Sequence, residues 1–142
     1  MAEVIERLRI ATPSQRVWDL IGAVDAVHIW HPAVEATEVF SENGVTCRRL
    51  RLANGEAVVE TIDAHSDDAR SYSYTMTDFG PLPLARYHAT ITVTPEGEED
   101  SLISWKATFE TKGVPKFVVA DAVSRLFKAG FEGISRHFGG SK

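Results

Sequence analysis

"VTCRRLRLANGEAVVETIDAH", Val45 to His65, decides the architecture. Two β-rich runs flank Asn54-Gly55, a dipeptide that favours a two-residue hairpin turn. The stretch therefore predicts two antiparallel strands joined at Asn54-Gly55. Upstream, "VEATEVF" predicts another strand, with "ENG" as the intervening turn. Downstream, "SDDA" turns the chain into the strand "SYSYTMT", and "FGPLPLA" is a proline-containing loop. "RYHATITV" follows, with Tyr87, Ala89, Ile91 and Val93 on one face. "PEGEED" then turns into "LISWKATFE", with Ile103, Trp105, Ala107 and Phe109 on one face.

The N-terminal segment "VIERLRI" predicts an opening strand, since Val4, Leu8 and Ile10 share a parity opposite to Arg7 and Arg9. "TPSQRVWDLI" predicts a helix. Thr12 is the expected cap, Pro13 the first helical residue, and Val17, Trp18 and Ile21 the apolar stripe, with Gly22 ending it. "DAVHIW" predicts a second short turn of helix, closed by Pro32.

The period changes after Val114. Apolar residues fall at helical spacing to about Phe138, beginning with Phe117, which predicts a helix about 37 Å long. Gly130 and Gly133 lie inside it, each costing roughly 1 kcal/mol relative to alanine. Either the helix is weak or bent, or small residues leave room for a neighbour. Gly139-Gly140 is expected to end it.

The order is thus a strand, two short helices, six strands and one long helix. An antiparallel meander of that length must curl, and one helix fills the curl only partly. The space left is a natural ligand pocket. The short helices are expected to plug its open end, with Trp18 anchoring the first helix and Trp30 closing the cavity.

Composition narrows the function. The 142 residues are expected to form a single domain over 1–142, and 44% are apolar. A net charge of −5 argues against nucleic-acid binding. Cys47 is the single cysteine, and "MAEVIERLRI" lacks the features of a signal peptide. No apolar run is long enough to insert in a membrane. A cytoplasmic location is therefore expected.

The chemistry-bearing residues are sparse. Glu60 alternates with Val58 and Ile62 in "VVETI", so it faces inward unless the parity is misread. Inside, it is either an acid or base with a raised pKa, or a carboxylate paired with an arginine or lining a wet cavity. Of the three tyrosines, Tyr74 and Tyr87 are expected at the pocket and Tyr72 in a structural role. His28 and His31 are separated by three positions, but Pro32 breaks the helix that would align them. His65 and His88 fall on different strands. No metal site and no cofactor are expected, and His31 reads as a cap or surface group. Cys47 has no nearby histidine in sequence to activate it. Neither a nucleophile elbow nor a glycine-rich phosphate loop occurs.

Taken in order, "VWDLI", "WHPAV", "NGEAVVETI", "YSY", "RYHATITVTP", "ISWKATF" and the C-terminal helix resemble the SRPBCC superfamily, also called START-like or helix-grip. The similarity is to its bacterial polyketide cyclase/dehydrase and lipid-transport-like branch. It implies an α+β fold: a curved seven-stranded antiparallel sheet wrapped around a long C-terminal helix, with two short helices after the first strand and an internal cavity. Similarity to the plant allergen and hormone-receptor branches implies which residues face inward. Glu60 resembles a pocket acid, Tyr87 a pocket tyrosine with Ala89 two residues on, and Tyr74 and Met76 share the pocket parity. Trp105 stands where those receptors carry a second pocket acid, with Phe109 on the same strand face. Leu126 and Gly130 fall on the pocket side of the helix. "LANGEA" and "GPLPLA", the latter with Leu84, lie where the receptors place mobile loops.

Two functional classes follow. One is a binding protein for a small hydrophobic molecule: a lipid, a polyketide or an aromatic metabolite. The other is a cyclase or dehydratase in which Glu60 moves protons and Tyr87 donates a hydrogen bond to an enolate or carbonyl oxygen. A co-chaperone-like interaction module is a third, requiring an exposed apolar patch rather than a cavity.

Overall fold

The computed structural model describes residues 1–139. The chain runs β1 (Ala2–Ile10), α1 (Ser14–Ile21), α2 (Val27–Trp30), β2 (Val34–Glu42), β3 (Val45–Leu52), β4 (Ala57–Ser66), β5 (Ser71–Asp78), β6 (Leu84–Pro95), β7 (Ser101–Thr111) and α3 (Lys116–His137). The strands form one antiparallel sheet in the order β1-β7-β6-β5-β4-β3-β2. Strands β2 to β7 are a meander, and β1 adds to its far edge beside β7. Irregularities interrupt the pairing at Val34/Ala36, Val59/Glu60, Ile62/Ala64 and Leu84/Arg86. Such bulges bend a strand and raise its twist, which lets the sheet curl. This is the helix-grip architecture.

Alternation decides the inner face. Tyr87, Ala89, Ile91 and Val93 of β6 are buried, as are Ile103, Trp105, Ala107 and Phe109 of β7. Helix α3 presents Val119, Val123, Phe127, Phe131 and Ile134 to them. No helix of the described residues is long and apolar enough to cross a membrane.

Several local expectations are corrected. Thr12 does not cap α1: Pro13 is the N-cap, and the Thr12 carbonyl instead accepts a 2.6 Å hydrogen bond from Ser101 Oγ. Helix α3 begins at Lys116 rather than Val114. Phe117 is 73% exposed, on the face away from the sheet. Gly140 lies outside the described residues.

The turn after β3 is a three-residue loop, not a two-residue one. Leu52 N donates to the Glu56 carbonyl and Gly55 N to the Leu52 carbonyl. Only Gly55 takes a positive φ, while the Asn54 side chain accepts from Glu56 N at 2.9 Å. That pattern is a type I turn with a glycine bulge. The two-residue turn with both residues at positive φ is at Asn43-Gly44.

The two glycines in α3 are explained by close approach. A Cβ on Gly130 would meet ring atoms of His31 and Trp105 at 3.0 Å. One on Gly133 would fall inside the van der Waals envelope of the Trp30 carbonyl oxygen. The neighbour for which the helix leaves room is the end of α2.

Candidate functional site

Between the curled sheet and α3 lies a cavity of about 370 Å³. Trp30 from α2, Val58 from β4, Met76 from β5, Trp105 from β7 and Phe127 from α3 give it apolar walls. Ala53, Asn54 and Pro81 are exposed lining residues, and Leu126 is 39% exposed, so these mark the rim. The Trp105 ring stacks on Phe127, with centroids 4.1 Å apart and planes at 11°, and meets Trp30 edge-on at 5.7 Å. This packing locks the indole against the helix. Trp30 Nε1 is a buried donor with no partner among the described residues.

One end of the cavity is polar. Arg48 and Glu60 stand opposite each other on β3 and β4, and both point inward. They are 2% and 3% exposed. Arg48 Nε donates to Glu60 Oε1 at 2.7 Å, and Nη1 donates to the Val24 carbonyl and to Tyr72 Oη, each at 3.1 Å. The guanidinium also lies over the rings of Tyr72 and Tyr74, a cation–π arrangement that strengthens when desolvated. Trp105 Nε1 donates to Tyr74 Oη at 3.1 Å.

Electrostatics fix the protonation states. Burial alone would lower the Arg48 pKa, but Tyr72, Glu60 and Tyr74 outweigh it and hold it above its ordinary value. Burial raises Tyr74 and Tyr87, and neighbouring Glu60 adds to the effect in both. They are therefore neutral phenols at physiological pH, suited to donating hydrogen bonds.

Seven of the expected residues line the cavity: Trp30, Glu60, Tyr74, Met76, Tyr87, Trp105 and Leu126. Leu84, Ala89, Phe109 and Gly130 do not. Leu84 is buried at the start of β6 beside Thr111, and Ala89 is sealed within the core. Phe109 is fully buried with its ring beside that of Tyr87, and Gly130 is filled against by the rings around it.

Two further residues depart from their sequence reading. Tyr72 is not merely structural: it lines the cavity and accepts from Arg48. Of the two readings of His31 the cap holds and the surface group does not: it is the C-cap of α2, and it is buried. Its Nδ1 accepts from Ala33 N at 3.1 Å, so Nε2 carries the proton and donates to the Leu126 carbonyl at 2.9 Å. It thereby ties the loop after α2 to the middle of α3.

Burial lowers the His31 pKa, against a smaller opposing effect of the Leu126 carbonyl. The unfolded chain binds this proton more readily, so stability rises with pH between the folded pKa and about 6.5. The His31 contribution is lost as pH falls through that window. Thermal melts from pH 7.5 to 5 should fall less steeply in His31→Gln than in the native protein; parallel profiles would contradict the assignment.

The chain belongs to the polyketide cyclase/dehydrase and lipid transport family, whose profile matches residues 1–139. Among solved structures, the XoxI protein of Bacillus cereus superposes with a TM-score of 0.90 at 24% identity, covering 97% of this chain and 96% of that one. The Zhui aromatase/cyclase of a Streptomyces species gives 0.81 at 15% identity, covering 94% and 90%. A START superfamily protein of Mycobacterium smegmatis gives 0.78 at 10%, covering 95% of each chain. Among curated proteins none matches the chain. These likenesses place the chain within the START-like fold.

Proposed function

We propose that the protein binds one small hydrophobic molecule in the cavity between the curled sheet and α3. The class is a lipid, a polyketide or an aromatic metabolite. The observation that carries this reading is a preformed apolar cavity with polar groups gathered at one end, Arg48, Glu60 and the tyrosine hydroxyls. Apolar walls supply affinity at roughly 25 cal/mol per Å² of buried surface, and the polar end sets orientation. Trp30, Met76, Trp105 and Leu126 would hold the ligand's body, with Tyr74 and Tyr87 beside its polar end. The family description, which joins cyclases and dehydrases to lipid transport, supports a ligand-binding or cyclase role.

A cyclase or dehydratase is the second reading. It is favoured by Glu60 Oε2, which makes no hydrogen bond to a described residue and belongs to the same lining as Tyr87. In that reading Glu60, joined to Arg48 through Oε1, would accept a proton at Oε2. Tyr87 would donate a hydrogen bond to the developing enolate oxygen.

Glu60→Gln separates the readings. A binding protein loses affinity and nothing else, whereas an enzyme loses turnover while still binding. Ligand uptake is read by native mass spectrometry, and turnover by product analysis on the class of molecule recovered. An interaction module of the co-chaperone kind would show no binding that depends on the cavity.

A further inference from the structure

We infer that the cavity selects an uncharged ligand whose polar end carries a hydrogen-bond donor beside an acceptor, and that it rejects a carboxylate of the same shape. This rests on the ligand-binding reading above and specifies the chemistry of its polar end.

The charge balance comes first. Arg48 and Glu60 are the two formally charged side chains among the described residues lining the cavity, and they cancel. Tyr74 and Tyr87 are neutral phenols. His31 is neutral because its Nδ1 is already an acceptor. An anionic ligand therefore meets no net positive charge to offset its loss of water.

The hydrogen-bond inventory gives the pattern. A guanidinium has five N–H donors, and Arg48 spends one from Nε and two from Nη1. Nη2 has no partner among the described residues. Glu60 spends Oε1, and Oε2 is likewise without one. Neither atom is sealed, because Trp30 Nε1 is the buried partnerless side-chain atom among the described residues. Arg48 and Glu60, joined through Nε and Oε1, thus bring an unfilled donor, Nη2, and an unfilled acceptor, Oε2, to one lining. A carboxamide, or a hydroxyl next to a carbonyl, satisfies both. A carboxylate satisfies Nη2 but sets its own charge against Glu60 Oε2, a repulsive element that discriminates by penalising the wrong ligand.

Two isosteric probes test this: 2-naphthamide and 2-naphthoate, titrated calorimetrically at pH 7.5 into the native protein. The amide should bind at least tenfold more tightly. In Glu60→Gln, the uncompensated guanidinium should reverse the order, with naphthoate gaining at least tenfold. Equal or tighter binding of naphthoate to the native protein overturns the inference, whether or not the variant folds. If neither probe binds, the inference is also overturned, while the cavity reading is judged separately by the species found bound in native mass spectra.

Discussion

Arg48→Met is expected to destabilise the protein by about 3–5 kcal/mol, the cost of leaving a buried carboxylate without its partner. The substitution keeps the unbranched stem as far as the position of Nε and removes all three of the side chain's hydrogen bonds. Glu60, the Val24 carbonyl and Tyr72 each lose a donor. A loss of this size should lower Tm by roughly 10 °C or more for a chain of this length. The double variant Arg48→Met/Glu60→Leu should recover most of it, because a buried ion pair replaced by apolar side chains of similar volume is often neutral. Urea unfolding of native, single and double variants measures the cycle. A single variant costing under about 1 kcal/mol would show that the pair is hydrated and contributes little.

The second large effect concerns α3. Gly133→Ala improves helix propensity by about 1 kcal/mol, yet its methyl group would collide with the backbone oxygen of Trp30. Backbone cannot change rotamer, so α2 or α3 must move and disturb the Trp30–Trp105–Phe127 stack. Overpacking typically costs 1–3 kcal/mol and sometimes more. A clash with backbone lies at the upper end of that range, so after the helix gain we expect a net loss of about 2 kcal/mol. Gly130→Ala is the contrast: its neighbours are side-chain ring atoms at 3.0–3.1 Å, which need give by only a few tenths of an ångström. There the helix gain should nearly offset the contact. Thermal melts decide the matter, and a stabilised Gly133→Ala would contradict the close packing described.

The same contacts show what sequence patterns convey and where they fail. Period-2 alternation placed the buried faces of β6 and β7 correctly, because one wholly apolar face has a single favourable orientation. The partner of Glu60 was hidden by one residue of loop length. A two-residue turn at Asn54-Gly55 would pair Arg49 with Glu60 and turn Arg48 to the outside. The glycine bulge shifts the register by one and sets Arg48 opposite Glu60. Arg48 shares the parity of Leu50 and Leu52, and that was the signal available for it.

His31 and Gly133 were obscured for a different reason. Their roles depend on α2 meeting α3, a contact between segments about a hundred residues apart that no local pattern encodes. Leu84, Ala89 and Phe109 differ from the lining residues in depth. Parity gives the face of a strand, but not whether a side chain on that face reaches a cavity or is covered by its neighbours.

Native mass spectrometry of the freshly purified protein, with its solvent extract identified alongside, tests the central claim most directly. One small hydrophobic species per chain is expected, displaced when Ala33→Trp fills the lining. A mass equal to the bare chain, unchanged after incubation with an organic extract of the host cells, would contradict it.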